Sequence, residues 1–144
     1  MNPNVSAVKD KVQRIVASRF SHVELRENGD VSLRQNSAQV FVKCWSSADD
    51  GPVFITLTVP LLLRVQPSPE LFKHIALHAD DLVYGHLSAF EDEKGVNIVF
   101  SHLLLGDYLD EQELFAACTE VLANADALDD ELKAKFGGLR WNED

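Results

Sequence analysis

A chain of 144 residues, 46% apolar and 25% charged, is long enough to bury a substantial core, and its composition excludes a disordered, collagen-like or disulfide-rich protein. Thirteen Lys and Arg against 23 Asp and Glu give a formal net charge of −10 with no basic cluster, which opposes both phosphate backbones and anionic lipid, so neither nucleic acid nor membrane is an expected partner. The longest apolar run, Val59 to Leu63, contains Pro60 and falls far short of the roughly 20 residues of a membrane-spanning helix.

Met1 to Val5 lacks the basic stretch, apolar segment and cleavage site of a secretory signal, so a cytoplasmic protein is expected. Cys44 and Cys118 lie far apart on apolar faces and belong to no Cys-x-x-Cys pair, which predicts buried reduced thiols. One domain spanning residues 1–144 is the simplest organisation.

Val5, Val8, Val12, Ile15 and Val16 recur at helical spacing and predict an amphipathic helix over 4–19. Val23 and Leu25 alternate before the turn signal Asn28-Gly29-Asp30, and Val31 and Leu33 resume the period of two, which predicts a hairpin. Over 38–45, Val40, Val42 and Cys44 share one strand face while Phe41, Lys43 and Trp45 share the other. A strand over 53–59 follows, with Val53, Ile55, Leu57 and Val59 alternating against Phe54, Thr56 and Thr58.

Ser68 before Pro69 is an N-cap followed by proline at the first helical position, where its missing N–H costs nothing. Leu71, Phe72, Ile75, Ala79 and Leu82 mark the inner face of that second helix. Strands near 83–90 and 96–102, joined through Glu91 to Gly95, predict a second hairpin. A long helix then runs from an Asp110/Glu113 capping box through Leu114, Cys118, Val121, Ala125, Leu128 and Leu132 to Gly137-Gly138. The expected fold is α+β, an antiparallel sheet with flanking helices in the order α-β-β-β-α-β-β-α.

Several pieces of the chain carry a family likeness: Val31-Ser32-Leu33-Arg34, Leu61-Leu62-Leu63, Pro67-Ser68-Pro69-Glu70-Leu71, Ser101 to Asp107, Leu128 to Leu132 and Phe136-Gly137-Gly138. With this order of elements the sequence resembles the type III secretion chaperone fold and its YbjN-type relatives, the TY-chaperone domains of actinobacteria. The resemblance implies a non-catalytic, chaperone-like protein, often a homodimer, that holds extended or amphipathic segments of a client and needs no cofactor. It departs from the family pattern at His74 and His78.

Chemical alternatives are weak on the residues themselves. His74 and His78 stand four apart and could reach one metal from a helix, but the glutamate of a His-Glu-x-x-His motif is replaced by Ile75, and no third ligand is evident. Ser101, His102 and Asp107 are the residue types of a hydrolase triad without a Gly-x-Ser-x-Gly elbow. A small hydrolase or metal-dependent enzyme using Ser101/His102 or His74/His78 is therefore the alternative, and no catalytic or metal residue is assigned. If the aliphatic positions of the central strands face the helices, Phe41, Trp45 and Phe54 face the other way. These three aromatics are the candidate partner-binding residues, because a patch of that size calls for a cover.

Overall fold

The computed structural model describes residues 2–141; Met1 and 142–144, the ends of the expected 1–144 domain, lie outside the described residues. Helix α1 (Pro3–Arg19) is followed by strands β1 (Val23–Leu25), β2 (Val31–Gln35), β3 (Ala38–Trp45) and β4 (Phe54–Val65). Helix α2 (Pro69–His78), the hairpin β5 (His86–Asp92) and β6 (Gly95–Leu105), helix α3 (Glu111–Phe136) and β7 (Leu139–Arg140) complete the chain. The expected α+β order is realised, with the first arm of the leading hairpin a three-residue strand of its own and the two-residue β7 added after α3.

The seven strands among the described residues form one antiparallel sheet in the order β1-β2-β3-β4-β6-β5, with β7 paired to β4 at Leu62 and Leu63. Hairpin connections dominate, so strand neighbours in sequence are mostly neighbours in space. Along the central strands every second residue points to the helices: Val40 and Val42 of β3, Ile55, Leu57 and Val59 of β4, and Ile98, Phe100 and Leu104 of β6 are all buried. They form one core with Val5, Val8, Val12 and Val16 of α1, Leu71 and Ile75 of α2, and Leu114, Cys118, Val121 and Leu132 of α3. Truncating a fully buried Leu57 to alanine removes this packing and costs about 2 to 5 kcal/mol.

The helix ends follow from their caps. Asn2 accepts the Asn4 N–H at 2.9 Å ahead of Pro3, and its amide donates to Ser46 Oγ, Ala48 O and Gly51 O, fastening the β3–β4 loop to the start of α1. Ser68 Oγ accepts from Leu71 N at 3.1 Å, and Asp110 accepts from Gln112 N and Glu113 N. Helix α3 stops at Gly137, whose φ of +74° is left-handed and whose N–H still reaches Lys133 O. Among the described residues no helix is long and apolar enough to cross a membrane.

Three strands differ from their expected bounds, β6 because its ladder with β4 runs on to Leu105. β4 continues through Pro60 to Val65, because β6 pairs along its whole length with register shifts at Leu62 and Val65. β5 starts three residues late: Gly85, at φ +97°, lies so close to the Phe100 ring that a Cβ there would sit 2.3 Å from it, and the ladder begins only after this turn.

Candidate peptide-binding face

The face of the sheet turned away from the helices carries the three predicted aromatics. Trp45 and Phe54 are register partners across β3 and β4, with ring centroids 5.0 Å apart, and Trp45 Nε1 donates to Thr56 Oγ1 at 2.8 Å. Phe41 lies on the same face four residues earlier, opposite Thr58. Four residues of strand separate Phe41 from Trp45 by about 13 Å, so the aromatics make two groups rather than one.

Sequence reasoning missed the rest of this surface. Leu105 pairs with Phe54 and Leu103 with Thr56 in the β4–β6 register, and both leucines are about half exposed, at 47% and 53%. Their signal, alternation around the buried Leu104, lies within a run of three leucines that hides the period of two. At the other end, Trp141 packs edge-on against Phe41 at 5.6 Å and donates from Nε1 to Gln39 Oε1 at 3.1 Å. Arg26 places its guanidinium 5.2 Å from the Phe41 ring centroid, and Lys43 stands exposed between the two aromatic groups. The result is a shallow amphipathic surface: aromatic and leucine anchors, threonine hydroxyls between them, and cations beside Phe41. Such a surface suits a polypeptide segment better than a small rigid ligand, which needs enclosure.

The residues weighed for catalysis are scattered. Ser101 and His102 are adjacent on β6 and so project to opposite faces. His102 Nδ1 accepts from Gly85 N at 3.1 Å, and burial, followed by the neighbouring His86, holds its pKa below the ordinary value. Asp107 accepts the Val53 N–H at 2.8 Å, so its carboxylate secures a loop instead of orienting His102. His74 and His78 do stack, with centroids 4.6 Å apart, yet His78 Nδ1 contacts Asp81 at 2.7 Å and His74 packs against Phe136. Among the described residues no group of three or more His, Cys, Asp or Glu is placed to hold a metal ion. The histidines instead rim a cavity of about 280 Å³ between α2 and α3, floored by Leu82, Leu87, Phe100 and Leu128.

The α+β fold, an antiparallel sheet with flanking helices, matches that of a solved type III secretion chaperone. The chain matches a crystal structure of the Yersinia pestis type III secretion chaperone SycH in complex with a stable fragment of YscM2, with a TM-score of 0.55, 10% identity, and coverage of 84% of this chain and 98% of that one. At that identity the likeness is one of fold. A family model described as T3SS (YopN, CesT) and YbjN peptide-binding chaperone 1 matches residues 6–144, and the chain belongs to this family. No protein of curated function matches significantly. Family and fold together define a client-binding chaperone, and the hydrolase and metalloenzyme alternatives find no support in either.

Proposed function

We propose that the open sheet face is where the protein holds its client, with Phe41, Trp45 and Phe54 as anchors, and that the chain acts as one domain over 1–144 without catalysing a reaction. The observation that carries this reading is the pairing of Trp45 with Phe54 beside the half-exposed Leu103 and Leu105, an apolar surface that the helices leave open. Aromatic anchors lose little conformational entropy on binding and commonly dominate interface energy. An extended client segment would lie across the threonines, with basic or amphipathic sequences favoured by the net charge of −10.

The same account makes the protein a cytoplasmic homodimer. Apolar side chains are also exposed at the α2–β5 corner, where Phe72, Leu77, Leu82 and Val83 stand out, so a subunit contact and a client face have separate surfaces available. Neither nucleic acid nor membrane is a partner on charge grounds. The test is calorimetric titration with a peptide selected from a random displayed library against the wild type. Trp45→Ala and Phe54→Ala should each weaken binding by about 2 kcal/mol or more, roughly thirtyfold. Unchanged affinity in both variants would remove the sheet face from the account.

A further inference from the structure

One part of the open face is already occupied. After α3 the chain turns through Gly137 and Gly138, both at positive φ, and pairs Leu139 and Arg140 with Leu63 and Leu62 of β4. Gly138 passes so close to β4 that a Cβ there would lie 2.7 Å from Val65 Cγ2 and 2.9 Å from Leu63 O. The next residue, Trp141, reaches onto the sheet face, and its indole sets both its polar and its apolar parts against complementary groups. The ring edge meets Phe41, and the indole N–H meets Gln39 Oε1. The Gln39 carbonyl is aimed in advance, because the Gln39 amide donates to Ser32 Oγ at 3.1 Å and both side chains are buried although they sit on the open face. Arg140 meanwhile forms ion pairs with Asp129 and Asp130 of α3. Asp129 is 5% exposed, and its Oδ1 is buried without a hydrogen-bond partner, an acceptor that a closer cation would satisfy.

We propose that the segment 139–141 is a built-in occupant of a peptide subsite formed by the β4 edge at Leu62-Leu63, Gln39, Phe41 and Asp129, and that clients enter this subsite by displacing it with an extended segment carrying a cation directly before an indole. The inference rests on the sheet face being the client site and specifies the chemistry taken at its Phe41 end. Each element of recognition is one the occupant already uses: main-chain pairing along β4, a carboxylate for the cation, a fixed carbonyl for the indole N–H, and the Phe41 ring for the indole. The occupant's ladder with β4 spans only two residues behind a double-glycine hinge, and none of 139–141 belongs to the buried core cluster. Tethering raises its effective concentration to about millimolar, enough to exclude weak ligands and admit strong ones.

The experiment uses the full chain and a labelled peptide with the sequence Gly-Gly-Leu-Arg-Trp-Asn-Glu-Asp, residues 137–144, followed by fluorescence anisotropy. The double variant Arg140→Ala/Trp141→Ala, whose own segment has lost both anchors, should bind the peptide at least about tenfold more tightly than the wild type. Replacing the peptide's Trp by Ala, or adding Phe41→Ala to the protein, should abolish that gain. The single variant Trp141→Phe, which keeps the ring and loses the N–H, should bind with intermediate affinity and provides the measurement if the double variant is unstable. Equal or weaker peptide binding by these variants than by the wild type would overturn the proposal and leave Trp141 a structural cover of Phe41. Because the peptide reads this subsite alone, that result would leave the roles of Trp45 and Phe54 standing, whereas client binding indifferent to Trp45 and Phe54 would remove the larger reading by itself.

Discussion

Trp45 and Phe54 face each other across the central strands β3 and β4, at the end of their ladder, with their rings 5.0 Å apart, and both remain only partly buried. A pair of this kind contributes about 0.5 to 1.5 kcal/mol beyond its buried area. Trp45→Ala should therefore lower folding stability by about 1 to 2 kcal/mol, whereas Leu57→Ala, on the opposite face of β4 and fully buried, should lower it by about 2 to 5 kcal/mol. Urea denaturation of the two variants side by side checks the ranking. Equal losses would mean that the aromatic face is core.

Both thiols should be inert in the folded protein. Burial, with a smaller contribution from the nearby Asp30 carboxylate, pushes Cys44 up to about 12, and burial alone pushes Cys118 up to about 12. Since the thiolate is the reactive form, titration with a thiol-specific disulfide reagent at pH 8 should show negligible reaction until denaturant is added, then two equivalents per chain. Rapid reaction of either cysteine in the native protein would contradict this packing.

Acid should destabilise the protein through its histidines before its carboxylates matter. His102 is held below its ordinary 6.5 chiefly by burial and then by His86, and His74 chiefly by burial, then by Lys135 and His78. A histidine whose pKa is depressed by folding binds its proton more readily in the unfolded chain. Its contribution is thus complete above about pH 6.5 and is lost as pH falls through the folded value. Asp129 works in the opposite sense, since burial and Asp130 raise its pKa, so its contribution is lost as pH rises through that raised value. Denaturation midpoints should fall between pH 7 and pH 5, and the fall should be shallower in His102→Gln. A midpoint that rises over this interval in the wild type would show that the histidines do not govern it.

Light scattering should return the mass of two chains rather than the 16.1 kDa of one at micromolar concentration, and Leu77→Glu/Val83→Glu at the α2–β5 corner should restore one. A wild-type mass of about 16 kDa would remove the dimer from the account.

What could be read from the sequence follows the range of the interactions involved. Helices α1, α2 and α3 were legible because their apolar spacing and their caps at Ser68 and Asp110 are local, but α2 ends at His78 and buries only Leu71 and Ile75, so Phe72, which is exposed, and Leu82, which lies past its end, do not belong to its inner face as expected. The shared face of Phe41, Trp45 and Phe54 was legible because a strand's period of two is local as well. The continuation of β4 through Pro60 was not, since it depends on pairing with β6, from Val99 opposite Pro60 to Val96 opposite Val65, far away in sequence. Leu103 and Leu105 join the face only through that same register. Trp141 escaped notice because two strand residues after a glycine pair carry no periodicity, and only the fold brings them to Leu62 and Leu63.

The central claim is that the client lies on the open sheet face. Its most direct test is to map amide and indole chemical-shift changes by NMR on adding a library-selected peptide to the wild-type protein. The account predicts that the largest changes fall at Phe41, Trp45, Phe54, Leu103 and Leu105, including the Trp45 indole N–H now bonded to Thr56 Oγ1. Changes confined to the cavity between α2 and α3, around His74, Leu82 and Leu128, with the sheet face unmoved, would contradict it.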